Sequence, residues 1–182
     1  MIHFEIEWSD LRRIGEELGA SEKQIKLALS RALARTASKL RTLSARGLRD
    51  ELELKRLNAL RKRLKSIKLR KGVMEGVTLW YGLNDMPVSW FKGRPVQTAS
   101  GAQFRGRDFP GAFVASSRYA KGKTIFKRTG KARLHIEEQL MPVQDKADVF
   151  VEDRIFVLVE SIFWPLFQRE LQARVKYKIG AA

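Results

Sequence analysis

Few residues in this chain could carry catalysis or bind a metal, and their spacing organises none of them into a centre. The two histidines, His3 and His135, lie in segments that alternate apolar and polar side chains. An imidazole in such a strand is ordinarily structural or solvent-facing, and no nucleophile or orienting carboxylate stands at a matching position. Cysteine is absent, which removes disulfides, thiol nucleophiles and thiolate metal sites. Asp50, Glu51 and Glu53 are close in sequence but sit among arginines and lysines, so local charge compensation accounts for them. Glu137 and Glu138 are adjacent in a strand-like run and point to opposite faces, which speaks against paired-carboxylate chemistry. P-loop and His-Glu-x-x-His patterns are missing. The expectation is no enzyme activity, no cofactor and no metal.

Positive charge is what the side chains do offer. Thirty-six Lys and Arg against 20 Asp and Glu give a formal net charge of +16. Such a field favours polyanions or acidic protein surfaces and opposes self-association unless it is locally neutralised. The candidate contacts with DNA or an acidic partner are Arg31, Arg35, Lys39 and Arg46 on one helical stripe, then Arg61, Lys62 and Arg63, and Lys121 and Lys123 at a hairpin tip. Trp80, Tyr81, Trp90 and Phe91, near Lys92 and Arg94, could stack on single-stranded bases. Their strand-like setting favours a role in a sheet core instead. Helix-turn-helix, zinc-finger and RNA-recognition signatures are absent, so contact with nucleic acid would be to its backbone. No signal-peptide core or uninterrupted apolar span is apparent, and a soluble chain with no membrane contact is expected.

The elements that must position these cations follow from periodicity. Ile2, Phe4, Ile6 and Trp8 alternate with polar residues as a short half-buried strand. Ser9 is placed to cap a helix over Asp10–Leu18 that ends at Gly19. Ser21 and Gln24 form a capping box before a longer helix. Its buried face runs through Ile25, Leu29, Ala32, Leu33, Thr36, Ala37, Leu40 and Leu43, with Arg31, Arg35, Arg46 and Arg49 opposite and Lys39 at the flank. Leu57, Leu60, Leu64 and Ile67 extend the helical spacing from Asp50 to Lys71; Gly47 either marks a bend between the two helical stretches or lies within one uninterrupted helix, and Gly72 closes this half.

Beyond it, strands are expected at Val77–Tyr81, Val88–Phe91, Phe113–Ser116, Thr124–Lys127 and Leu134–Leu140, with residues 92–112 as a long loop. After Pro142, Val149, Val151, Ile155, Phe156, Leu158, Val159, Ile162 and Phe163 form an apolar helical stripe. Pro165 should break that helix and start a last one over Leu166–Tyr177. The fold class is α+β: basic N-terminal helices, an antiparallel sheet of about 4–6 strands, and a C-terminal helix broken near Pro165. Residues 1–72 form the strand and basic helical region and 73–182 the sheet with the C-terminal helices, folding together as one domain.

Four features of this segment order resemble the prophage minor tail protein Z family, which includes the tail-completion protein of lambda-like phages. They are the Arg/Lys-rich helical half through Lys71; Asp85–Met86–Pro87–Val88; Phe109–Pro110–Gly111–Ala112–Phe113; and the run from Phe126–Lys127–Arg128 through Gly130, Arg133, Ile136 and Pro142. Pro110, Gly111, Ala112 and Phe113 also have a folding role, in which Pro110 restrains the chain, Gly111 permits a sharp turn and Phe113 anchors the next strand in the core. The chain departs from the family in its acidic N-terminal strand, its extra leading helix and its shorter basic run.

The resemblance implies a structural virion protein at the head-proximal end of a tail, joining tail to head and positioning the DNA end by docking. The implied partners are the tail terminator, the tail tube, the head–tail connector and packaged DNA. Further copies of the chain are implied too, in a ring for which a hexamer is the common form. The implied location is the virion, and the host cytoplasm during assembly. The alternative drawn from charge alone is a non-sequence-specific nucleic-acid-binding protein.

Overall fold

A computed structural model describes residues 2–3, 7–71, 74–116, 122–130 and 135–180. Its elements begin with β1 (Ile2–His3), α1 (Trp8–Glu17), α2 (Glu22–Glu51), α3 (Asn58–Arg61), β2 (Leu64–Lys71), β3 (Met74–Tyr81) and β4 (Met86–Pro87). Then come β5 (Val96–Gln97), β6 (Gly101–Phe104), β7 (Arg107–Pro110), β8 (Ala112–Ser116) and β9 (Lys123–Arg128). The chain closes with β10 (Ile136–Glu138), β11 (Leu140–Met141), α4 (Gln144–Phe150) and α5 (Val159–Lys176). The architecture is α+β, as the mixed periodicities imply. Two compact units divide it: Met1–Gly47, Leu60–Gly82 and Val149–Ala182 form the first, and Leu48–Ala59 with Leu83–Asp148 the second.

In the first unit, the capping box at the start of α2 forms reciprocally. Gln24 N–H donates to Ser21 Oγ at 3.3 Å and Ser21 N–H to Gln24 Oε1 at 3.0 Å. Of the expected α2 face, Ile25, Leu29, Ala32, Leu33, Thr36, Ala37 and Leu40 are buried and Leu43 is half-buried. Ile25, Ala28, Leu29, Ala32 and Leu33 join Leu11 of α1 and Phe163, Phe167 and Leu171 of α5 in one core. Small residues let the backbones come close: a Cβ on Gly15 would lie 2.2 Å from Ile25 Cδ1, and one on Gly47 2.2 Å from the Phe150 ring. Phe163 and Phe167 stack with centroids 5.8 Å apart, and Trp164 meets both rings edge-on. The C-terminal helices run antiparallel to α2, with Gln24 bonded to the Arg174 carbonyl, Arg35 paired with Glu170, and Gly47 against Phe150.

Several expectations for this unit are corrected. Ser9 does not cap α1; Glu7 stands at the N-cap and Ser9 Oγ bonds the Glu7 carboxylate. Of the strand expected over 2–8, Ile2–His3 pairs with β3 and Trp8 already opens α1, while Phe4 and Ile6 lie outside the described residues. No helix spans Asp50–Lys71. Residues 64–71 are instead β2, paired antiparallel with β3 from Leu64↔Tyr81 to Lys71↔Met74. The spacing of Leu57, Leu60, Leu64 and Ile67 suits a helix, but Ile67 and Leu69 also alternate, and a complementary strand rich in Val, Thr, Trp and Tyr decides the outcome. Gly72 lies outside the described residues.

Nor does the C-terminal helix break at Pro165, which stands inside α5. Pro165 and Ser161, whose carbonyl loses its donor there, are both exposed, so water can take the bond. The irregularity falls earlier. Val151, Ile155, Val159 and Phe163 recur every fourth residue and are all buried. That spacing outruns the 3.6 residues of an α turn. A π turn over Val151–Ile155, followed by a 3-10 turn over Phe156–Leu158, keeps them on one face. The adjustment leaves Phe156 exposed, not in the apolar stripe expected for it.

Among its described residues the second unit holds three small antiparallel sheets, ordered β5-β6-β7, β10-β9-β8 and β11-β4, where a single sheet was expected. Residues 92–112 are not a loop but mostly the first of these. β6 and β7 pair from Gly101↔Pro110 to Phe104↔Arg107 through a two-residue turn, Arg105 and Gly106, at φ 51° and 76°. Positive φ at both positions is the geometry of a tight hairpin, which a non-glycine first residue hides. Val88–Trp90 is a 3-10 turn and not a strand. The strand expected over 134–140 is split, β10 pairing with β9 and β11 with β4. Glu138 ties the pieces together: its Oε1 accepts Ser89 N–H at 2.9 Å and Thr124 Oγ1–H at 2.6 Å. Met86, Val88, Phe91, Phe104 and Ile125 form the heart of this core.

Candidate functional site

The α2 stripe is a row of cations fixed by helix geometry. Arg31, Arg35, Lys39 and Arg46 fall within about 80° of one another over about 22 Å, at 100° and 1.5 Å per residue. All four are exposed. They are not equivalent. Glu170 of α5, whose side chain is only 12% exposed, pairs with Arg35 Nη1 at 2.5 Å and Arg31 Nε at 3.6 Å. Half of the stripe therefore neutralises a carboxylate of the same unit, while Lys39 and Arg46 have no carboxylate partner among the described residues. Reading α2 alone missed Glu170. Its signal is that it is the single acid between Ser161 and Gly180.

Arg61, Lys62 and Arg63 follow one another where α3 ends and β2 begins. Arg61 and Lys62 are exposed, but Arg63 is half-buried and closes the base of the β2–β3 hairpin. Its carbonyl accepts Gly82 N–H at 2.8 Å and its Nη1 donates to the Gly82 carbonyl at 3.4 Å. Lys123 is exposed at the start of β9, and Lys121 lies outside the described residues.

Pro110, Gly111, Ala112 and Phe113 turn the chain from β7 into β8. Gly111 is left-handed at φ 68° and donates its N–H to the Ser100 carbonyl at 2.9 Å, so the sharp turn expected of it is present. The anchoring differs from expectation. Ala112 and Phe109 are buried, whereas Phe113 is half-buried, with its ring 6.3 Å from Phe126 and the Arg128 guanidinium 6.0 Å away. Gly101, which sequence reasoning passed over, makes the closest approach, since a Cβ there would lie 2.2 Å from the Phe109 carbonyl oxygen. Beside this turn an open cleft of about 410 Å³ is lined by Arg107, Asp108, Pro110, Lys127, Glu137 and Leu140, among others. It mixes both charges, and Asp108 is already bonded by Gln103 at 3.1 Å. Among the described residues no three potential metal ligands cluster.

For the aromatic candidates, the structure favours packing. Phe91 is buried and Trp90 half-buried. Tyr81 is half-buried with its hydroxyl 2.9 Å from Ser44 Oγ, and burial pushes its phenol above the usual tyrosine range. Only Trp80 of the four is exposed, with Lys65 of the neighbouring strand 5.8 Å from its ring centroid. Among the described residues no helix is long and apolar enough to cross a membrane. Comparison with protein-family models, curated proteins and solved structures finds no match for this chain.

Proposed function

We propose that this chain is a structural protein of a tailed bacteriophage, acting at the head-proximal end of the tail. There it joins tail to head and helps position the DNA end by protein docking, without bond chemistry. Two things support the reading: the residue resemblance at Asp85–Val88 and Phe109–Phe113, and the character of the basic surface. The observation that carries it is the Glu170 pairing. A helix built to grip phosphate gains from every cation it leaves free, because each phosphate neutralised releases counterions. On α2, Arg31 and Arg35 are engaged by Glu170, and Lys39 and Arg46 remain on a rigid, well-packed support. A few fixed charges suit orientation against an acidic protein neighbour better than general DNA affinity.

The second reading, a nucleic-acid-binding protein that works alone, keeps its basis in the net charge of +16. The double variant Lys39→Glu/Arg46→Glu separates the two. It should fold normally, with stability changed by less than about 0.5 kcal/mol as for other exposed sites. Head–tail joining in a complementation assay should fall by at least about tenfold, the equivalent of about 1.4 kcal/mol. If joining is unaffected and duplex DNA binding falls steeply with salt in the wild type alone, the second reading holds.

A further inference from the structure

The first unit carries two exposed apolar patches of opposite charge at the two ends of its C-terminal helical run. At one end, the π and 3-10 turns leave Phe156 and Val157 45% and 66% exposed, beside Val149. Glu152, Asp153 and Glu160 stand three or four residues from them and are exposed, with Arg154 the single cation of residues 149–160. On a chain of net charge +16 this acidic, greasy face is the exception. At the other end, Tyr177 and Ile179 are 66% and 51% exposed. Leu27 joins them, its Cδ1 lying 2.9 Å from where a Gly180 Cβ would be. Lys176, whose Nζ is 5.5 Å from the Tyr177 centroid, and Lys178 make this end basic. The patch is held in place by Gln24 Nε2, which donates to the carbonyls of Arg174 and Ile179.

The two patches cannot satisfy one another within a molecule. α5, running from Val159 to Lys176, separates them by about 27 Å at 1.5 Å per residue. Among the described residues, none of Glu152, Asp153 and Glu160 has an ion-pair partner. We infer that the acidic patch of one copy docks on the basic patch of the next, a heterologous head-to-tail contact of this chain with itself. Apolar side chains on both faces supply the buried area, and the opposed charges fix direction and overcome the repulsion of the net charge. The inference rests on these surfaces and does not depend on the head–tail assignment.

The test is light scattering with size exclusion on the nuclease-treated full chain, at about 50 mM and about 500 mM salt, where screening differs several-fold. Association at low salt, weakened at least about tenfold at high salt, is expected from a charge-directed contact. Two variants are then made, Glu152→Lys/Asp153→Lys/Glu160→Lys and Lys176→Glu/Lys178→Glu, each confirmed as folded by circular dichroism. Each alone should be monomeric, and an equimolar mixture should associate again, because each reversed face meets its complement on the other variant. Restoration by mixing also excludes misfolding as the reason the single variants fail. A wild type that stays monomeric at low salt overturns the inference, as does association that survives either reversal. Loss in both variants without recovery on mixing overturns the head-to-tail geometry and leaves a like-on-like contact.

Discussion

Arg105 ties together three segments of the second unit, around residues 52–53, 91–92 and 104. Its guanidinium lies 5.4 Å from the centroids of both Phe91 and Phe104 and pairs with Glu53 Oε2 at 2.6 Å. It also donates to the carbonyls of Leu52, Glu53 and Lys92 at 3.2, 3.4 and 3.0 Å. Leu52 and Glu53 directly follow α2, and the Glu53 carbonyl also accepts the Lys92 N–H at 2.8 Å. Arg105→Ala should lower unfolding free energy in urea by about 2–3 kcal/mol, in the range of charge-assisted bonds to carbonyls. A loss below about 0.5 kcal/mol would show the clamp to be idle. Tyr81 gives a second test. Ser44 Oγ already donates to the Leu40 carbonyl at 2.8 Å, so the Tyr81 hydroxyl donates to Ser44. Burial raises the phenol from 10.0; the Ser44 hydroxyl acts in the opposite direction only by turning to donate to the phenolate once it forms. A raised folded-state value means the neutral phenol contributes its full stability below about pH 10 and loses it as pH climbs towards the folded-state value. In an absorbance titration Tyr81 should give a late phenol phase, and Tyr81→Phe should abolish it. A titration that Tyr81→Phe leaves unchanged at its late end would contradict the buried environment.

At the scale of elements, what could be read from sequence depended on whether a conformation needed a marked residue. α1, α2 and α5 all end the same way, with the backbone bonds Ala20→Gly15 and Gly19→Glu16, Leu54→Arg49 and Glu53→Asp50, and Ile179→Arg174 and Lys178→Val175. The left-handed residue is Gly19 in the first but Glu53 and Lys178 in the others. The α1 end was legible from its glycine, and the α5 end falls one residue before the Tyr177 expected for it; the α2 end was not legible, because nothing about Glu advertises φ near 50°. The same reason hides the β6–β7 hairpin behind Arg105. By contrast, Ser21 and Gln24 announced their helix through a spacing that only a capping box uses, and the α2 face followed from its 3.6-residue period. β2 was misread because its partner strand, rather than its own sequence, settles its conformation. Gly101→Ala tests the sheet turn: the added methyl meets the Phe109 backbone, which cannot rotate away, and should cost about 1–3 kcal/mol. Wild-type stability in that variant would mean that β6 and β7 approach less closely at this point.

For the whole molecule, charge at first pointed to polyanions in general, and its distribution now divides into parts with different roles. Arg31 and Arg35 bind Glu170, so reversing them would set new carboxylates beside a nearly buried one. That substitution should cost stability as well as contacts, and it cannot report on docking alone. Lys39 and Arg46 remain as probes of an outside partner, and the Glu152–Glu160 and Lys176–Ile179 faces as probes of a second copy. The candidate stripe was visible in sequence because helical spacing alone fixes which residues share a face. Its partial neutralisation was not, since Glu170 lies far along the chain and only the antiparallel packing of α5 on α2 brings it there. The most direct test of the proposed role is to prepare phage particles from a genome lacking this chain and then add the purified protein back. The account predicts filled heads and completed tails that stay separate until the protein is supplied, and joined, infectious particles afterwards. Heads and tails that join and infect without it would contradict the account.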